Sequence, residues 1–129
     1  MKRIGFLINP IAGMGGAVGL KGTDDKVEDA LLRGAEPQAK NRAKITLNFL
    51  KKRKDLIFFT PAGEMGEDAL RETGIHDVQI VSHPANKTTA RDTKIAVQNF
   101  VEQDVDLILF CGGDGTARDI FDIVGRNIP

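Results

Sequence analysis

Four short apolar runs punctuate the chain: Ile4 to Ile8, Leu56 to Thr60, Val78 to Val81 and Leu107 to Cys111. Each is rich in Ile, Val, Leu and Phe and too short for an ordinary helix, so each predicts a strand. None alternates cleanly between apolar and polar positions. Strands of that kind are covered on both faces, as in a parallel sheet flanked by helices. The first run follows Met1-Lys2-Arg3 and is too short for a signal-peptide core or a membrane span.

Between the runs the spacing turns helical. Gln38 to Arg53 sets Ala39, Ala43, Leu47 and Leu50 on one stripe and ends in the cations Lys51 to Lys54, which suit a helix C-terminus. Glu64 to Thr73 predicts a shorter helix closed by Gly74. Thr89 to Gln103 is amphipathic, with Ile95, Ala96, Asn99 and Phe100 across one face, and Ala117 to Val124 follows the last run and stops at Gly125. Strand and helix thus alternate, which predicts an α/β, doubly wound, Rossmann-like fold with a mostly parallel sheet and right-handed crossovers. Two stretches break the rhythm. Asn9 to Thr23 carries five glycines without helical or strand period, and Arg126 to Pro129 looks like the start of a further strand.

A length of 129 residues fits one domain with an adequate core. Eighteen Lys and Arg balance eighteen Asp and Glu, which argues against a nucleic-acid partner. The single cysteine, Cys111, cannot close an intramolecular disulfide, and no Cys/His cluster has metal-site spacing. The expectation is a cytoplasmic domain with neither a membrane nor a nucleic-acid partner.

The strongest chemical signal is Gly112-Gly113-Asp114-Gly115-Thr116, placed directly after one predicted strand and before a helix. Ligands of open α/β sheets bind at the carboxyl ends of strands, and glycines let the backbone approach a phosphate whose charge the helix start can hold. Asp114 could take a proton from a substrate hydroxyl, orient that hydroxyl, or help to hold Mg2+. The plain alternative is a tight turn with an acidic cap. Gly13, Gly15 and Gly16, in the Ile11 to Thr23 loop, offer further amides, although the loop fits neither GxxxxGK[ST] nor GxGxxG and could be a connector. Thr89 and Asp92 sit where a capping box would open the third helix, and a threonine hydroxyl there would also suit a phosphate. His76 and His83 lack a paired ligand, and Cys111 reads as a packing residue with no base beside it.

Gly112 to Thr116 resembles, letter for letter, the GGDGT signature of the NAD kinases. Related signatures occur in diacylglycerol and sphingosine kinases and in 6-phosphofructokinases. Asn9-Pro10-Ile11-Ala12-Gly13 resembles the NP-x-x-G element of the same superfamily. The stretches Ile8 to Asp24 and Leu107 to Ile120, with the TTA-x-DT pattern at Thr88 to Thr93, are similar to the AcoX-like, predicted ATP-NAD kinase branch. Ala117-Arg118-Asp119 departs from the apolar residues usual after GGDGT in NAD kinases, which bears on the acceptor.

The resemblance implies phosphoryl transfer from ATP or polyphosphate, with Mg2+, to the 2'-hydroxyl of NAD. It implies that Asp114 engages the acceptor hydroxyl as its base, that Gly112, Gly113, Gly115 and Thr116 contact the ATP phosphates, and that Asn9 faces the nucleotide. A lipid or sugar hydroxyl is the alternative acceptor, and a non-catalytic nucleotide-binding module is the alternative outside catalysis. The superfamily also uses a second, largely β domain with an Asn-Glu or Asn-Asp element, which nothing in this chain matches. Residues 1–129 are therefore expected to be the nucleotide-binding half, inactive alone, with an exposed sheet edge that favours homo-oligomers.

Overall fold

A computed structural model of the chain describes residues 1–11, 38–85 and 88–129. Its elements are β1 (Lys2–Ile8), α1 (Ala39–Leu50), β2 (Leu56–Pro61), a single 3-10 turn (Gly63–Met65), α2 (Glu67–Thr73), β3 (Val78–Ser82), α3 (Ala90–Glu102), β4 (Leu107–Cys111) and α4 (Asp114–Val124). The strands form one sheet in the order β3-β2-β1-β4, and every neighbouring pair is parallel. The fold is therefore α/β and doubly wound.

The two faces of β1 explain why the strands do not alternate. Ile4, Phe6 and Ile8 enter one core with Ala39, Ala43 and Leu47 of α1 and Ala69 and Leu70 of α2. Leu7 enters the other with Ala96, Val97 and Phe100 of α3 and Ile120 and Val124 of α4. Both faces are dry, so both parities are apolar. Between them Gly5 makes room for α3: a Cβ there would lie 2.7 Å from the Phe100 ring. Any side chain at that position would push the helix off the sheet.

Sequence periodicity differs from the structure at a few places. Ile95, expected inside, is exposed on α3, and Thr93 and Val97 are buried in its stead. The apolar stripe of α3 is interrupted by a threonine, which hid its true phase. α4 begins at Asp114, three residues before the expected Ala117. The expected helix from Glu64 is a 3-10 turn followed by α2 from Glu67, separated by Gly66, whose backbone is not helical and which packs so closely on Thr60 that an added Cβ would collide with Thr60 Oγ1. Gly74 ends α2 in the left-handed conformation, the C-cap role its position indicates.

Two features of the topology set up the site. The chain steps from β1 to β2 to β3 in one direction and then places β4 on the other side of β1, so the winding reverses between β1 and β4. In register, Ile8 faces Cys111, which brings the carboxyl ends of these two strands level. Beyond Gly125 the last residues return to the outer border of β4, where Pro129 O accepts a hydrogen bond from Ile108 N–H at 2.8 Å. Among the described residues, no helix is long and apolar enough to cross a membrane.

Candidate phosphate site at the switch point

Asn9 leaves β1 at the point where the winding reverses, and it is tied down on three sides. Its N–H donates to Cys111 O at 2.8 Å, extending the β1–β4 ladder by one rung. Its side-chain Nδ2 donates to Thr116 Oγ1 at 3.3 Å, and its Oδ1 accepts from Ile11 N–H at 3.3 Å. The end of β1 is thereby fastened to the first turn of α4, two segments 107 residues apart in sequence.

The glycines between β4 and α4 have separate tasks. Gly112 lies under the buried Thr116, so that a Cβ at 112 would sit 2.5 Å from Thr116 Oγ1. Gly113 is the extended N-cap residue, has open space around it, and supplies no capping side chain; its carbonyl accepts the first helical bond from Ala117 N–H at 3.0 Å. The leading amides of α4 are thus left without a side-chain cap at the positive end of the helix dipole. Gly112 through Gly115 are all exposed, and Asp114 stands in the first turn of the helix.

Such a donor set suits a phosphate: unpaired backbone N–H groups, glycines that allow close approach, and a helix dipole. It offers little for a bare metal. Among the described residues no group of three His, Cys, Asp or Glu could hold an ion. Asp114 alone could add one oxygen to a Mg2+ otherwise carried by phosphate oxygens and water, the usual manner for that ion.

Cys111 is half-buried at the end of β4 with Sγ 3.6 Å from Ala39 O, at the first turn of α1. Burial pushes its thiol pKa up, partly opposed by the Arg42 guanidinium, which disfavours it as a nucleophile.

The other residues picked from the sequence fall elsewhere. Asp92 Oδ2 accepts from Thr89 N–H at 2.9 Å, so this pair forms a capping box at the start of α3, which leaves β3 at the opposite border of the sheet from β4. No hydrogen bond among the described residues joins them to Gly112–Thr116. Gly13, Gly15 and Gly16 lie outside the described residues.

Sequence reasoning passed over the segment that follows β2. Thr60 is fully buried, Ala62 N–H donates to Ser82 O at 2.9 Å, and Glu67 accepts from Gly63 N–H at 3.0 Å and from Arg71 Nε at 2.8 Å. Gly63 N–H first, and Arg71 second, hold the Glu67 carboxyl below its ordinary pKa. This turn stands beside the end of β1 on the same sheet edge. Two glycines directly after a strand, at 63 and 66, were the signal, the same grammar as at 112–116.

Fold and site together define a doubly wound α/β domain whose switch point carries an uncapped, glycine-lined helix start. The family model for the ATP-NAD kinase N-terminal domain matches residues 4–129, and the chain belongs to that family. No curated protein and no solved structure matches it.

Proposed function

We propose that this domain binds the phosphates of ATP, or of polyphosphate, in the Gly112–Thr116 cradle and serves a kinase that phosphorylates the 2'-hydroxyl of NAD to give NADP. The observation that carries the reading is the Asn9–Thr116 hydrogen bond at 3.3 Å, which locks the end of β1 to the cradle at the sheet's switch point. Family membership supports phosphotransfer as the chemistry. The resemblance of Ile8 to Asp24 and Leu107 to Ile120 to the AcoX-like branch supports NAD as acceptor.

Phosphoryl transfer requires positioning and charge stabilisation more than covalent participation by the protein. Gly112, Gly113 and Gly115 let the backbone close on the donor's phosphates, and the first amides of α4 hold their charge. Thr116 and Asn9 keep the cradle in register with β1. Mg2+ bound with the donor would supply further charge neutralisation. Asp114, exposed at the mouth of the cradle, accepts the proton of the attacking hydroxyl. Thr89 and Asp92 are a secondary candidate, with a hydroxyl and helix start of the kind a phosphate uses, although their hydrogen bonding is that of a capping box. A reducing, cytoplasmic setting suits the lone thiol, and the exposed Leu107 and Phe110 of β4 and Phe121 of α4 support association of copies.

The test is an assay of the full-length protein with ATP or polyphosphate against NAD, diacylglycerol and sugar acceptors. Formation of NADP is expected. Transfer to a lipid or sugar instead would replace the acceptor, and no transfer to any of them, with nucleotide bound, would make the domain a binding module.

A further inference from the structure

We propose that Arg42 is a positioning residue of this site, reaching the donor's phosphate chain from the face of the sheet opposite α4. The inference rests on the reading of Gly112–Thr116 as a phosphate cradle. It starts from the placement of α1. The helix begins at Ala39, whose carbonyl oxygen lies 3.6 Å from Cys111 Sγ, and Cys111 is the residue before Gly112. Arg42 N–H donates to Gln38 O at 3.1 Å, so Arg42 belongs to the first turn, level with the end of β4.

The direction of its side chain follows from its neighbours. Ala39, Ala43 and Leu47 point into the sheet. Lys40 and Lys44 reach Glu72 of α2 at 3.0 and 3.4 Å, so that flank of α1 faces α2. At about 100° per residue, Arg42 falls on the other flank, toward β4. A guanidinium on that flank agrees with the Arg42 charge partly opposing the burial-driven rise in the Cys111 thiol pKa.

α1 lies in the layer of Ile4, Phe6 and Ile8, and α4 lies in the layer of Leu7. The crevice above β1 and β4 is therefore bordered by α4 on one face and by the first turn of α1, with Arg42, on the other. The chemistry calls for a cation there. Backbone amides carry only partial charges, and Asp114 adds a negative one, whereas a triphosphate brings several more. A guanidinium presents a planar fork that matches two phosphate oxygens.

Calorimetric titration of inorganic tripolyphosphate with Mg2+ into this chain tests the assignment. Arg42→Ala should weaken binding about tenfold or more, the scale of a lost charge-assisted hydrogen-bond pair. Arg42→Lys should recover part of the loss, and Lys51→Ala, at the far end of α1, should bind as the parent does. The melting temperature of Arg42→Ala should stay unchanged, because the side chain is exposed. Alkylation of Cys111, the sole cysteine, should shift to higher pH in Arg42→Ala. An unmoved alkylation profile would overturn the placement of the guanidinium. Full affinity in Arg42→Ala, with binding lost in Gly112→Ala, would remove Arg42 and leave the cradle standing. Absence of binding by the parent chain, or full binding by Gly112→Ala, would remove the cradle and Arg42 together.

Discussion

Gly112 lies directly beneath the side chain of Thr116, with room for a hydrogen and not for a carbon: a Cβ would come within 2.5 Å of Thr116 Oγ1 and 2.8 Å of Thr116 Cγ2. Thr116 in turn accepts the Asn9 amide, so one backbone hydrogen at 112 decides whether β1, β4 and α4 meet in register.

Gly112→Ala should therefore act on stability and on ligand binding together. Thr116 is buried and cannot swing aside freely, so overpacking should cost about 1–3 kcal/mol. Thermal unfolding and tripolyphosphate titration measure the two effects. Gly113→Ala, where open space surrounds the added carbon, should be the milder change.

Asp114→Asn tests the carboxylate's chemical role. In an assay of the proposed phosphotransfer it should lower kcat by about a hundredfold or more, the range of acid-base and positioning groups, with nucleotide affinity largely retained. Near-parental turnover in a folded variant would remove Asp114 as the base.

Asp92→Ala separates the two roles of the Thr89–Asp92 pair. As a capping box, the pair should lose about 0.5–1.5 kcal/mol of stability when the carboxylate goes, with phosphate affinity unmoved. An affinity change larger than the stability change would instead make it part of the ligand site.

Glu67 should shape the acid limb of the stability curve. The Gly63 amide and Arg71 hold its carboxyl below the ordinary value of 4.5, so the stabilisation is complete above that pH and fades as the pH falls below it through the lowered value. Glu67→Gln should flatten urea-denaturation stability in that window and leave it parallel to the parent at still lower pH.

Much of this was legible in the residues, for stateable reasons. The run at β4 is bounded by Asp106 and Gly112, both poor strand residues, and its limits read correctly from sequence. The start of α4 did not, because Asp114, Gly115 and Thr116 are weak helix formers that tertiary contacts hold in place. The GGDGT cradle could be placed on a strand-to-helix turn by inspection. Its tie to Asn9 could not, since a contact spanning 107 residues leaves no local periodicity. Arg42 was hidden for the same reason: its flank of α1 can be inferred only once the helix is seated against Cys111 and α2.

Asp114 stands in the first turn of α4, where its charge bears on which anions could approach the helix start. There the carboxylate is the counter-charge of the helix dipole and steadies the very amides a phosphate would use. A phosphate arriving alone must compete with it and is repelled by it. One arriving with its charge already shared by a divalent cation is not, so tripolyphosphate should bind more tightly with Mg2+ than without, and equal affinities would refute this. If the cradle holds phosphate as proposed, a single side chain at one helix position would make it a filter for uncompensated charge, favouring the metal complex of a nucleotide over the free anion before any chemistry begins.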